Sequence, residues 1–177
     1  MSQSSTLYRV SQDSFKHLEK SIKEQRFDID SAKSYAIFQG SFTGLKFILS
    51  KGQDASVTKL VSEIFSPSQS LGKEEFESIA PEDRFDFYES GKLIPYLDSA
   101  TISKLDQFLD TVLENDIHIN YDSKELNNNG IYPDVWHDDN APNYGYNKRH
   151  ILEDLAELKK TVKRANQEND YILVFVG

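Results

Sequence analysis

The densest set of groups able to hold a cation or move a proton is His137-Asp138-Asp139, followed by His150 and Glu153. Imidazoles and carboxylates suit zinc or manganese, and an i, i+3 spacing sets His150 and Glu153 on one face of a helix. A loop of about a dozen residues separates the two groups, and no established ligand spacing fits them. A metal-dependent or small-molecule enzyme built on His137, Asp139, His150 and Glu153 is therefore the lesser expectation. Nucleophiles are scarce. The chain has no Cys, no Gly-x-Ser-x-Gly, and in Gly40-Ser41-Phe42-Thr43-Gly44 it lacks the lysine and spacing of a phosphate-cradling loop. Paired carboxylates abound, but none sits in an apolar stretch that would split two pKa values. No motif calls for a cofactor.

Aromatic residues gather just beside the histidines. Trp136 is the only Trp, with Tyr132, Tyr144 and Tyr146 close by. Such side chains anchor interfaces. For Trp136 and Tyr132 the plainer role is to close the core over the following helix, with Pro133 stiffening the turn. Tyr144 and Tyr146, flanked by Pro142, Asn143, Gly145 and Asn147, read as an exposed recognition loop.

Charge is divided unevenly along the chain. Residues 1–73 carry a net +3 and residues 140–177 a net +1, whereas 74–139 hold four basic and seventeen acidic residues, a net −13. That middle argues against nucleic acid or an anionic membrane as the partner. It suits a basic protein, because complementary charge speeds encounter and fixes orientation. The candidate partner-binding residues are Glu74, Glu75, Glu77, Asp83 and Asp86 of the acidic stretch, with Trp136, Asp138, Asp139, Tyr144 and Tyr146 of the loop. A solvated acidic face that only confers solubility is the bland alternative.

The elements that must position these groups are clearest in the last third. Ile151, Leu155, Leu158, Val162 and Ala165 recur at helical spacing, with acids toward the start of the stripe and lysines toward its end. Tyr171 to Val176 is an unbroken apolar run, which suggests a strand covered on both faces. Upstream, Leu7 to Val10 reads as a strand and Gln12 to about Glu24 as a helix capped by Ser11. Ser41 is expected to cap a helix from Phe42 that ends at Gly52. Val57 to Phe65 is a further helix and Ser66 to Gly72 a loop. Leu93 to Leu97 leads as an extended segment into a helix that runs to about Asn115, and Asp122 caps a short one. Phe27 to Ile29, Tyr35 to Phe38 and Glu74 to Gly91 are ambiguous. The expectation is one α+β domain over residues 1–177, with residues 1–5 a polar tail, a small mixed sheet, and the C-terminal strand at its centre. No secretory or membrane-spanning run is present, so a cytosolic protein is expected.

The turn Ile131-Tyr132-Pro133-Asp134-Val135-Trp136, the long helix after it and the apolar Leu173 to Val176 resemble the YfbM-like family, bacterial domains of unknown function. Gly44 to Leu49 is similar to the family's early helix, and Tyr96-Leu97 with the helix from Ser99 to Glu114 to its middle element. The sequence departs from the family at Gly40-Ser41-Phe42, where many members have Lys-x-Trp, and at Lys46, where a His is common. No site built on those positions carries over. The resemblance implies a small α+β fold and no established activity. Its occurrence among bacterial toxin and antitoxin-like islands implies an immunity role, in which the domain would mask a basic toxin.

Overall fold

The computed structural model describes residues 3–22, 24 and 26–177. Its frame is a five-stranded sheet: β1 (Ser4–Val10), β2 (Ser34–Gln39), β3 (Gln69–Leu71), β4 (Ile94–Leu97) and β5 (Tyr171–Val176), in the order β2-β1-β5-β4-β3. The apolar C-terminal run is thus the central strand, as its lack of alternation requires. Every pairing is antiparallel, so the expectation of a mixed sheet is corrected. The polar start does not fray at Ser4 and Ser5. Both join β1, and Ser5 is fully buried; Met1 and Ser2 lie outside the described residues.

Period-two side chains split the sheet into two faces. Leu7, Ala36, Phe38, Leu97, Ile172 and Val174 face one side and meet the main helical layer. That layer holds α2 (Phe42–Ser50), α3 (Ala55–Phe65), α6 (Ser99–Thr111) and α9 (Lys148–Glu168). Ile151, Leu155, Leu158, Val162 and Ala165 of α9 are all buried here, along the stripe that the spacing predicts. The other face is covered at one end by α1 (Gln12–Ser21), whose Phe15 and Leu18 pack with Val10, Ile94 and Leu173. Phe15 stacks on Tyr171 with ring centroids 3.8 Å apart.

Side-chain caps set several helix starts. Ser11 accepts from Ser14, Asp98 from Thr101, and Asp122 from Lys124 and Glu125, each satisfying N–H groups that the helix leaves free. Helix α1 ends at Ser21 rather than near Glu24, and Phe27–Ile29 leads into a single 3₁₀ turn, Ile29–Ser31. The expected loop from Ser66 contains β3. The middle helix stops at Thr111, followed by α7 (Glu114–Asn120) and α8 (Ser123–Asn128). Within the ambiguous stretch are two six-residue helices, α4 (Lys73–Ser78) and α5 (Arg84–Glu89). Among the described residues no helix is long and apolar enough to cross a membrane.

Four charges tie the far end of the sheet together. The buried Arg9 reaches Glu168 at 2.7 Å and Asp170 at 3.3 Å, while Lys33 reaches the same two carboxylates at 2.8 and 2.9 Å. The end of α9 and the start of β5 are thereby fixed to β1 and to the segment before β2.

Candidate functional site

The acidic stretch forms an arm strung between two strands of the sheet. Strands β3 and β4 form an antiparallel pair with Leu71 opposite Ile94, and the arm is everything between them. Its two ends lie against each other: a Cβ on Gly72, whose φ is +74°, would sit 2.3 Å from the backbone oxygen of Lys92. A side chain is excluded there both by the left-handed backbone and by that contact. Within the arm, the Phe76 and Phe87 rings are tilted at 53° with centroids 6.0 Å apart, and the Arg84 guanidinium lies 5.3 Å over the Phe76 ring. Pro81–Asp83 makes the 3₁₀ turn between the helices.

What distinguishes the arm is how little of it the core uses. Neither α4, the turn, nor α5 contains a buried residue. Phe85 is 71% exposed and Tyr88 50%. Glu74, Glu77, Asp83 and Asp86 are exposed, and so are Glu82 and Glu89; Glu75 is half-buried. Among the described residues none of these seven carboxylates forms an ion pair. The field of the arm is therefore unneutralised, beside two large aromatic rings in water. The sequence does not single out Phe85 and Tyr88, because aromatic residues with no alternation or helical period give no indication of which way they face.

The aromatic loop is rooted elsewhere, between α8 and α9. Trp136 is 3% exposed, which corrects its place among the partner contacts. Its indole N–H donates to the Ile131 carbonyl at 2.8 Å, and its backbone exchanges hydrogen bonds with the Asn127 side chain at 2.8 and 3.1 Å. A Cβ on Gly44 would fall 2.3 Å from the Trp136 ring, so α2 must present a glycine at that turn. Tyr146, expected at the surface, differs only in its exposure. It is half-buried, in a left-handed backbone conformation, with its ring edge-on to Trp136 at 5.9 Å. Asp138, Asp139 and Tyr144 remain at the surface.

The four groups of the metal reading do not converge. Among the described residues no three His, Asp or Glu side chains are placed to hold an ion. Glu153 pairs with Arg149 at 2.6 Å, and Asp139 accepts from the Ala141 N–H at 2.8 Å. His150 turns inward. Its Nδ1 accepts from the Tyr146 backbone N–H at 3.2 Å, and its Nε2 lies 3.5 Å from the Ser41 hydroxyl. Asp154, one helical turn on, is 8% exposed, and its Oδ2 is buried without a hydrogen-bond partner. Burial pushes its carboxyl above the usual range and Glu153 adds to this, while Ser41 and His150 pull the other way.

Ser, His and Asp in contact invite a nucleophilic reading, which the polarity of the hydrogen bonds refuses. An Nδ1 that accepts leaves the proton of the neutral ring on Nε2, so the imidazole donates toward Ser41 and does not act as its base. Ser41 is also fully buried. The trio instead clamps α9 and the aromatic loop to the start of α2, and explains why Ser41 makes no side-chain cap for that helix. Asn147 completes the clamp: its oxygen caps α9 at His150, and its amide donates to the carbonyls of Asp139 and Tyr144.

A family model described as a domain of unknown function, DUF1877, matches residues 1–175. The chain belongs to that family. A solved structure described as the protein of unknown function YfbM from Escherichia coli matches this DUF1877 chain over 100% of both chains, with a TM-score of 0.61 and 12% sequence identity. At that identity the likeness is one of fold. No curated protein sequence matches the chain. The YfbM-like α+β domain implied by the turn, the long helix and the terminal strand is thus shown, and no activity comes with it.

Proposed function

We propose that this DUF1877 domain is a protein-binding module whose contact surface is the acidic arm. A specific version is an immunity-type inhibitor that covers a basic toxin domain. What supports the reading is the pairing of seven unneutralised carboxylates with exposed Phe85 and Tyr88 on a segment that contributes nothing buried to the core. Surface that folding does not need, with aromatic anchors inside a ring of like charge, is what a partner of opposite charge recognises. Asp138, Asp139 and Tyr144 remain available as secondary contacts, while Trp136 and Tyr146 only hold their loop. The partner is a basic protein. Nucleic acid and anionic membrane are repelled by the same field.

The test is affinity capture from the native host with the wild-type chain and with a Glu74→Lys, Glu82→Lys, Asp86→Lys variant, followed by calorimetry at low and high salt. The proposal expects a basic protein held by the wild type and lost by the variant, with affinity that falls as salt rises. Equal capture by both proteins, or an affinity indifferent to salt, contradicts it. The inhibitor version adds a further requirement: the wild type, and not the charge-reversed variant, must protect cells that express the captured partner.

A further inference from the structure

The second face of the sheet, which α1 covers at one end only, carries a cavity of about 250 Å³ at the other. Its floor is Tyr8 of β1 and Phe175 of β5, neighbours across the β1–β5 pairing. Phe27 and Ile29, from the segment between α1 and β2, form the wall. Tyr8 stands edge-on to both other rings, 5.4 Å from Phe27 and 5.6 Å from Phe175, while Phe27 and Phe175 are stacked at 5.8 Å. The lining is apolar apart from Thr6 and a single cation, Arg26, at the rim.

Arg26 stands at the mouth of this cavity. Among the described residues it makes no ion pair or hydrogen bond, although the protein carries a net charge of −9. On its other side lies a depression lined by Asp13, His17 and Asp28, where an anion would meet two carboxylates. On the cavity side the lining has no carboxylate, only Thr6, aromatic and aliphatic side chains and Gly91, where even an added Cβ would lie 3.7 Å from the arginine stem. An apolar bowl with one convergent donor is the usual form of a small-ligand site. A guanidinium offers the planar fork that pairs with a carboxylate through two parallel hydrogen bonds.

We propose that this cavity binds a small aromatic carboxylate, its ring against Tyr8, Phe27 and Phe175 and its acid group on Arg26. The volume admits one ring system with a short acid-bearing arm and excludes a long acyl chain. The site shares only Gly91 with the arm and does not depend on the protein-binding reading.

Calorimetry and ligand-observed NMR on the full chain test it with three probes: phenylacetate, its neutral amide phenylacetamide, and hexanoate. Phenylacetate should bind about tenfold or more tightly than the amide, since the charged pair is lost with the acid. It should also bind more tightly than hexanoate, which offers no ring. Arg26→Gln should erase the preference for acid over amide and Arg26→Lys should keep part of it; both should melt as the wild type does, because Arg26 is exposed and forms no ion pair among the described residues. No binding of phenylacetate, equal binding of acid and amide, or unchanged affinity in Arg26→Gln overturns the proposal. Equal binding of hexanoate overturns its aromatic half.

Discussion

Gly44 and Trp136 show how tightly single residues fix this molecule. With 2.3 Å between a would-be Cβ and the indole, Gly44→Ala forces the ring or the helix to move. Overpacking of this kind costs about 1–3 kcal/mol, and urea unfolding followed by the emission of the only Trp reads it directly. Asp154 gives a prediction of opposite sign. Its folded pKa is raised above the ordinary 3.8, so its contribution to stability is complete below that value and is lost as pH rises through the raised folded pKa. Asp154→Asn avoids the buried charge. At pH 7 the variant should be at least as stable as the wild type, and the gap should narrow toward pH 4 in paired urea titrations. Neither feature was legible beforehand. Ser41 and His150 stand 109 positions apart, and only the fold that brings α2 against α9 makes them neighbours.

At the scale of elements, the parts fixed by local rules were legible and the parts fixed by contact were not. The stripe of α9, the unbroken run of β5 and the caps at Ser11 and Asp122 each follow from spacing or from one side chain's hydrogen bonds. Strand β3 is three residues long and exists only because β4 lies beside it. The arm's helices bury nothing, so no apolar period marks them. The ion network that joins Arg9, Lys33, Glu168 and Asp170 is an element-scale device with a pH signature. Hydrogen bonds from Lys33 and then Arg9 hold the Glu168 carboxyl at about 2, below its ordinary 4.5. A depressed folded pKa means that the stability it lends is present above the ordinary value and is lost as pH falls toward 2. In acid titrations followed by circular dichroism, Glu168→Gln should therefore be less stable than the wild type at pH 7 and should lose less between pH 4.5 and pH 2. Parallel acid limbs for the two proteins would show that the network is not the cause.

Over the whole molecule, charge and core are segregated. Burial is concentrated between α9 and the sheet, while the −13 segment begins with an arm, strung between two short strands, whose carboxylates form no ion pair among the described residues. The sequence carried the charge imbalance in plain view but not its geometry. Trp136 and the arm looked like one surface along the chain, yet one closes the core and the other leaves it. The proposed function has the arm serve a partner and not the fold. It is tested most directly by replacing residues 73–91 with a two-residue Asn-Gly turn, which the contact of Gly72 with Lys92 leaves room to close. The shortened chain should keep the wild-type Trp136 emission and cooperative unfolding, and should fail to retain the partner that the full chain captures. A shortened chain that does not fold, or one that still holds the partner, would contradict the account.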